Sequence, residues 1–152
     1  MFSFLRKKNF FFTPTEQQEI KAAIVQAEHR TSGEIRVFVE SHCSYMDAID
    51  RAIEIFLKLQ MQNTTDRNSV LVYLAIKDRQ LAVFGDEGIH KKVGNEYWNT
   101  KVKEMIAHFN KEDYADGICH CVLDIGEALQ SNFTYNENTD KNELPDDIVF
   151  GK

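Results

Sequence analysis

Ser69-Val-Leu-Val-Tyr-Leu-Ala-Ile76, followed by Lys77-Asp-Arg-Gln80 and Leu81-Ala-Val-Phe84, is the stretch on which the fold turns. Successive residues of a strand point to opposite faces, so Val70, Leu71, Val72 and Leu74 make both faces apolar. A strand of this kind is covered on both sides and sits centrally in its sheet. The four residues between the two apolar runs suffice only for a hairpin turn, so the second run lies antiparallel to the first.

Upstream, Glu34-Ile-Arg-Val-Phe-Val-Glu40 reads as a strand, with Ile35, Val37 and Val39 on one face and Arg36 and Phe38 on the other. Between it and the central strand lies a helical stripe of Ile49, Ala52, Ile53, Phe56 and Leu59, opened by Ser44. Strand, helix and strand in this order form a parallel unit, which makes the whole sheet mixed. Before it, Thr13-Pro-Thr-Glu16 carries a helix start: a capping box with proline at the first helical position. Ile20, Ala23, Ile24 and Ala27 follow at helical spacing, and Gly33 is the expected stop, as a residue that takes positive φ without cost.

Downstream of the hairpin, Gly85-Asp-Glu-Gly88 ends the strand and a short helix is expected over Ile89–Val93. A long helix then carries Trp98, Val102, Met105, Ile106 and Phe109. A last helix from near Asp113 carries Ala115, Ile118, Cys119, Val122, Gly126 and Leu129. The expected fold is α/β: a three-layer α/β/α sandwich with a small mixed central sheet, over residues 13–131. Residues 1–12 form an aromatic-basic arm, and residues 132–152 a polar, mostly irregular tail whose last apolar residues, up to Phe150, dock on the domain.

A chain of 152 residues suits one domain. Its net charge of −6 argues against a nucleic-acid binder, which usually presents a basic face. Cys43, Cys119 and Cys121 are odd in number and lack framework spacing, which indicates free thiols in a reducing, cytoplasmic setting. No apolar run approaches the roughly 20 residues of a transmembrane helix. The start, with Arg6, Lys7 and Lys8 among its phenylalanines, is not a signal peptide; residues 2–12 would instead offer peripheral contact to an anionic membrane surface, or pack on the domain.

Topology sorts the candidate functional residues by sheet end. Glu34 and Asp66 precede parallel strands and Asp86 and Glu87 follow the antiparallel one, so all four lie at one end. Together they form a candidate site for Ca²⁺ or Mg²⁺, since hard cations take oxygen ligands; the other reading is solvated acids at loop ends. The opposite end holds Glu40, His42, Asp78 and Arg79, where His42 beside a carboxylate would make a general base or, equally, ordinary turn chemistry. Cys119-His-Cys121 is not read as a zinc motif, because positions i and i+2 of a helix do not share a face; Cys119 is expected in the core and Cys121 partly buried. Asn136, Asn138, Asp140 and Asn142, with Asp147, start like a calcium loop, but Lys141 replaces the required glycine.

Taken in order, Thr31-Ser-Gly-Glu34 running into a strand, Asp66-Arg-Asn-Ser-Val-Leu-Val-Tyr-Leu-Ala-Ile76 followed by Asp78-Arg79, then Gly85, Gly88 and Asp116-Gly117, resemble the TPM domain family. That family includes thylakoid-lumen phosphatase-like proteins and a bacterial branch. The resemblance implies an α/β/α sandwich with a mixed sheet, weak acid phosphatase activity in some members and a divalent cation held by acidic residues in others. Many relatives have an export signal or a membrane segment and a glycine where this chain has Ser69. The expectation for this chain is a binding or assembly module engaging a membrane-associated complex at the membrane surface. The alternative is a divalent-cation-dependent phosphatase.

Overall fold

The computed structural model describes residues 11–111, 113–134 and 148–151. The helices are α1 (Pro14–Glu28), α2 (Ala48–Lys58), α3 (Glu87–Val93), α4 (Asn95–Asn110) and α5 (Tyr114–Asn132). The strands are β1 (Glu34–Glu40), β2 (Ser69–Ala75), β3 (Gln80–Gly85) and β4 (Val149–Phe150). The sheet order is β3-β2-β1-β4. β1 is parallel to β2 and β4, and β3 is antiparallel to β2, so the sheet is mixed as expected. Every residue of β2 is buried, which follows from its apolar faces and its internal position.

Two cores flank the sheet. Ile35, Val37, Val39, Val70, Val72 and Val83 face α1, α4 and α5, whose Ile24, Met105, Ile118 and Val122 complete that layer. Phe38, Leu71, Tyr73 and Ala82 face the other way, onto Ala52, Ile55 and Phe56 of α2 and onto Met61. The architecture is therefore α/β/α, with one layer thick and the other made by a single helix. The capping box at Thr13 forms in both directions, Glu16 N–H to Thr13 Oγ1 at 3.1 Å and Thr13 N–H to Glu16 Oε1 at 2.9 Å. Val149 and Phe150 of the tail dock on β1 as β4, and Phe12 lies fully in the core.

Four local expectations are corrected. α1 stops at Glu28, and Gly33 holds no positive φ; a Cβ there would stand 2.6 Å from Leu129 Cδ2, so Gly33 serves close packing against α5. α2 starts after Asp47 rather than at Ser44, because Tyr45 sits at φ 71°, outside helical space. The short helix begins at Glu87, two residues before Ile89, capped by the Asp86 carboxylate, which accepts the Glu87 N–H at 2.8 Å. Cys121 is the buried member of its pair and Cys119 is half-buried, the reverse of the sequence reading. The calcium-loop-like residues 136–147 lie outside the described residues, as do residues 1–10 of the arm.

Candidate functional site

The four candidate acids lie at the same end of the sheet, but they do not meet in one cluster. Glu34 pairs with Ser69 across β1 and β2, and Val70 with Gly85 across β2 and β3, which sets Glu34, Asp66, Asp86 and Glu87 at one end of the sheet. A cation is already there: Arg67. Its Nε and Nη2 donate to Asp86 Oδ2 and Oδ1 at 2.6 and 2.9 Å, and its Nη1 lies 3.0 Å from Glu87 Oε1. Arg67 has φ 52°, so the loop turns left-handed to aim the guanidinium at α3. The Asp86 side chain is 5% exposed, and the fork geometry satisfies both its oxygens. That pairing holds the Arg67 guanidinium charged beyond its ordinary range.

Asp66 takes a bond from Ser32 Oγ at 3.3 Å, and Ser32 in turn accepts from Asn68 Nδ2 at 3.1 Å. Glu34 is buried at the head of β1. Among the described residues, no three His, Cys, Asp or Glu side chains stand in a geometry that would hold a metal ion. With Arg67 between them, Asp86 and Glu87 face a guanidinium rather than an open cage.

The opposite end is knitted more tightly. Arg51 donates from Nε and Nη2 to Glu40 Oε2 and Oε1 at 2.9 and 3.0 Å, and the Tyr73 hydroxyl donates to Glu40 Oε2. Burial works to raise the Glu40 pKa, but the Arg51 and Tyr73 bonds outweigh it and hold the carboxyl below its ordinary value. Burial first, then Glu40, pushes the Tyr73 phenol well above its own. His42 and Asp78 do meet, with Nδ1 to Oδ1 at 2.9 Å, and the Cys43 N–H donates to Asp78 Oδ2 at 2.7 Å. His42 first and the Cys43 N–H second hold Asp78 below its ordinary value. Cys43 is buried with its thiol on the Met46 carbonyl, 3.3 Å away, and burial raises the thiols of Cys119 to about 11 and Cys121 to about 12. Cys119 and Cys121 are thus kept as thiols near neutral pH, not as nucleophilic thiolates.

A larger feature opens from the Arg67 corner: a slot of about 780 Å³ along β3. Its floor is the consecutive run Leu81 to Asp86. Consecutive residues alternate between sheet faces, so a cavity touching all of them follows the strand's free edge and not one face. One wall is Ile49 and Ile53 of α2; the other is Trp98, Asn99 and Val102 of α4. Arg67, Glu87 and His90 close the polar end. Gly85 shapes the floor, because a Cβ there would lie 2.3 Å from Trp98 Cζ2, and the indole N–H reaches His90 Nδ1 at 3.0 Å.

The sequence reading did not find this slot, although it carried a trace of it. The α2 stripe was too wide: Ala52 and Phe56 are buried as expected, Ile55 joins them, and Ile49 stays 42% exposed. The surplus apolar residues line the cavity. Lys101 was missed as well. It is buried between α4 and α5, with Nζ 3.0 Å from Glu104 Oε1 and 3.1 Å from Asp124 Oδ2. Burial works against its charge, yet those two carboxylates raise its pKa above the ordinary value.

Comparison with known proteins agrees with this architecture. The BA42 protein from the psychrophilic bacterium Bizionia argentinensis is similar at 36% identity and a TM-score of 0.84, over 93% of this chain and 96% of that one. The N-terminal domain of a protein from P. gingivalis shares the fold at 15% identity and a TM-score of 0.68, over 83% of this chain and 81% of that one. The N-terminal domain of a Corynebacterium glutamicum protein does so at 14% identity and 0.65, over 89% and 84%. Among curated proteins, no sequence matches the chain. The family model for the TPM domain matches residues 7–128, and the chain belongs to that family.

Proposed function

We propose that this TPM domain is a binding or assembly module and that the slot beside β3 is its docking site. The observation that carries the reading is the slot itself: about 780 Å³, lined chiefly by apolar side chains, with a few polar groups gathered at one end. Ligand sites have this composition and this order of size. A cation-dependent phosphatase has less support, since the Arg67 guanidinium already engages two of the four acids such chemistry would use. No helix among the described residues is long and apolar enough to cross a membrane.

The test uses the full chain and a random hexapeptide library displayed on phage. Asn99 is an exposed slot residue, and Asn99→Trp fills the cavity without touching the core. Peptides enriched on the wild-type chain are expected to lose binding to Asn99→Trp. No enrichment, or equal binding to both chains, would overturn the reading. A thermal titration with Ca²⁺ and Mg²⁺ tests the alternative, because a ligand at 100 times its Kd stabilises by about 2.7 kcal/mol. An unmoved melting temperature is expected, and a clear rise would favour the cation site over the slot.

A further inference from the structure

We propose that the slot receives an extended segment of a partner chain, which adds to the sheet as a strand beside β3. The proposal rests on the binding reading above and gives it a chemistry. The phase of the β2–β3 ladder is fixed by the Asp86 N–H, which donates to Ser69 O at 2.9 Å in register with the Val70 and Gly85 pairing. Hydrogen-bonded pairs of an antiparallel ladder alternate, so Gln80, Ala82 and Phe84 spend their backbone groups on β2. Those of Leu81, Val83 and Gly85 face away from the sheet, along the floor of the slot. Among the described residues, these outward groups make no hydrogen bond to any other segment.

Val83 sharpens the point. The residue is only 3% exposed, and among the described residues its outward N–H and C=O have no hydrogen-bond partner. Buried backbone groups are almost always paired. The chemistry that pairs a row of them, at a repeat of roughly 6.8 Å, is another extended backbone.

The walls choose between possible occupants. A second copy of this chain would bring its own β3 flanked by its own α2 and α4, and wall would meet wall before the edges met. A lone extended segment has no such layers. Its side chains would alternate between Ile49 and Ile53 on one side and Trp98 and Val102 on the other. The fitting partner is thus a run of about six residues, the length of β3, apolar toward both walls.

The experiment takes the most enriched hexapeptide from the library and makes two versions, N-methylated at alternate residues in the two possible phases. Trp98 is the single tryptophan and lines the slot, so its fluorescence in the full chain reports titration with each version. One phase blocks the donors that face β3 and is expected to weaken binding about 100-fold, as loss of two or three net hydrogen bonds would. The other phase points its methyl groups away from β3 and is expected to bind within a few-fold of the parent. Amide exchange at Leu81, Val83 and Gly85 should slow on binding, while Gln80, Ala82 and Phe84 stay as they were. Insensitivity to both methylation phases, or equal loss from both, would overturn strand addition while leaving the slot as a binding site. Failure of any peptide to bind would overturn both.

Discussion

The two ends of the sheet use the same ingredients to different ends. At one, Arg51 forks onto Glu40 and the Tyr73 hydroxyl takes up the same carboxylate. At the other, Arg67 forks onto Asp86 and reaches Glu87. Both carboxylates are nearly sealed, at 6% and 5% side-chain exposure, but the arginines differ: Arg51 is 26% exposed and Arg67 is 43%. The first network closes on itself and ties α2 to β1. The second leaves its cation at the mouth of a cavity. An ion pair by itself therefore says little about function; what distinguishes the Arg67 corner is the strand edge beside it, which no other described segment pairs.

The largest effect is expected at Gly88. A Cβ there would stand 2.1 Å from Asp66 O and 2.5 Å from Arg67 O, contacts with backbone that cannot rotate away. Gly88→Ala gains helix propensity, but the overlap outweighs it, and the expected net loss is about 3 kcal/mol in a urea titration. Because Arg67 must move with its carbonyl, the slot mouth should be displaced too, and peptide affinity should fall with stability. A stable Gly88→Ala chain with unchanged peptide binding would mean that this loop does not set the slot.

Glu40→Gln is the next largest. It removes the charge that Arg51 and Tyr73 share while keeping the shape, and should cost about 2 kcal/mol, below the range for a fully buried pair because Arg51 is partly in water. The pH dependence follows from the lowered pKa. A carboxyl whose folded value lies below its unfolded one contributes stability that is fully present above the unfolded value, here 4.5, and is lost as pH falls through the folded value. The wild-type advantage over Glu40→Gln should therefore hold at pH 7 and shrink below pH 4.5. Peptide-dependent Trp98 fluorescence should be untouched, since Glu40 is not a slot residue.

Much of this contrast was legible in the sequence only as fold. The hairpin from Ser69 to Phe84 announced itself because apolarity on both faces of a strand has one structural solution, and the capping box at Thr13 because its donors and acceptors are local. Gly33 misled because glycine has two uses, positive φ and close approach, and only the position of Leu129 decides between them. Strand direction put the four acids at one end of the sheet, but it could not show Arg67 between Asp86 and Glu87. A loop residue at positive φ belongs to no periodic pattern, and its partner lies 19 positions away. The slot was hidden for a related reason. Ile49 and Ile53 have the spacing of core residues, and nothing in a helical stripe tells a core apart from a cavity wall.

Asp86→Asn acts on the Arg67 corner itself. Asparagine keeps an oxygen for the Glu87 N–H, so the cap on α3 survives, while the charge opposite Arg67 is lost. The expected loss of stability is less than half that of Glu40→Gln, because the freed guanidinium is already 43% exposed. Its effect on the slot should be more visible: Arg67 gains freedom at the mouth, and peptides with an acidic residue at that end should bind more tightly to the variant. A loss as large as that of Glu40→Gln would show that the two corners are equally structural.

The smallest effect belongs to the exposed pair. His42 is 56% exposed and Asp78 30%, and a hydrogen-bonded pair in water is heavily screened. His42→Ala should leave the urea midpoint at its wild-type value near neutral pH, where the Cys43 N–H still holds Asp78 in place. It should equally leave Trp98 fluorescence and peptide affinity alone, because His42 is not a slot residue. The general-base reading of His42 must show in a reaction and not in stability: a hydrolytic activity carried by the wild-type chain and absent from His42→Ala would place chemistry at this end of the sheet. Unchanged behaviour in all three measurements assigns His42 and Asp78 to the turn alone.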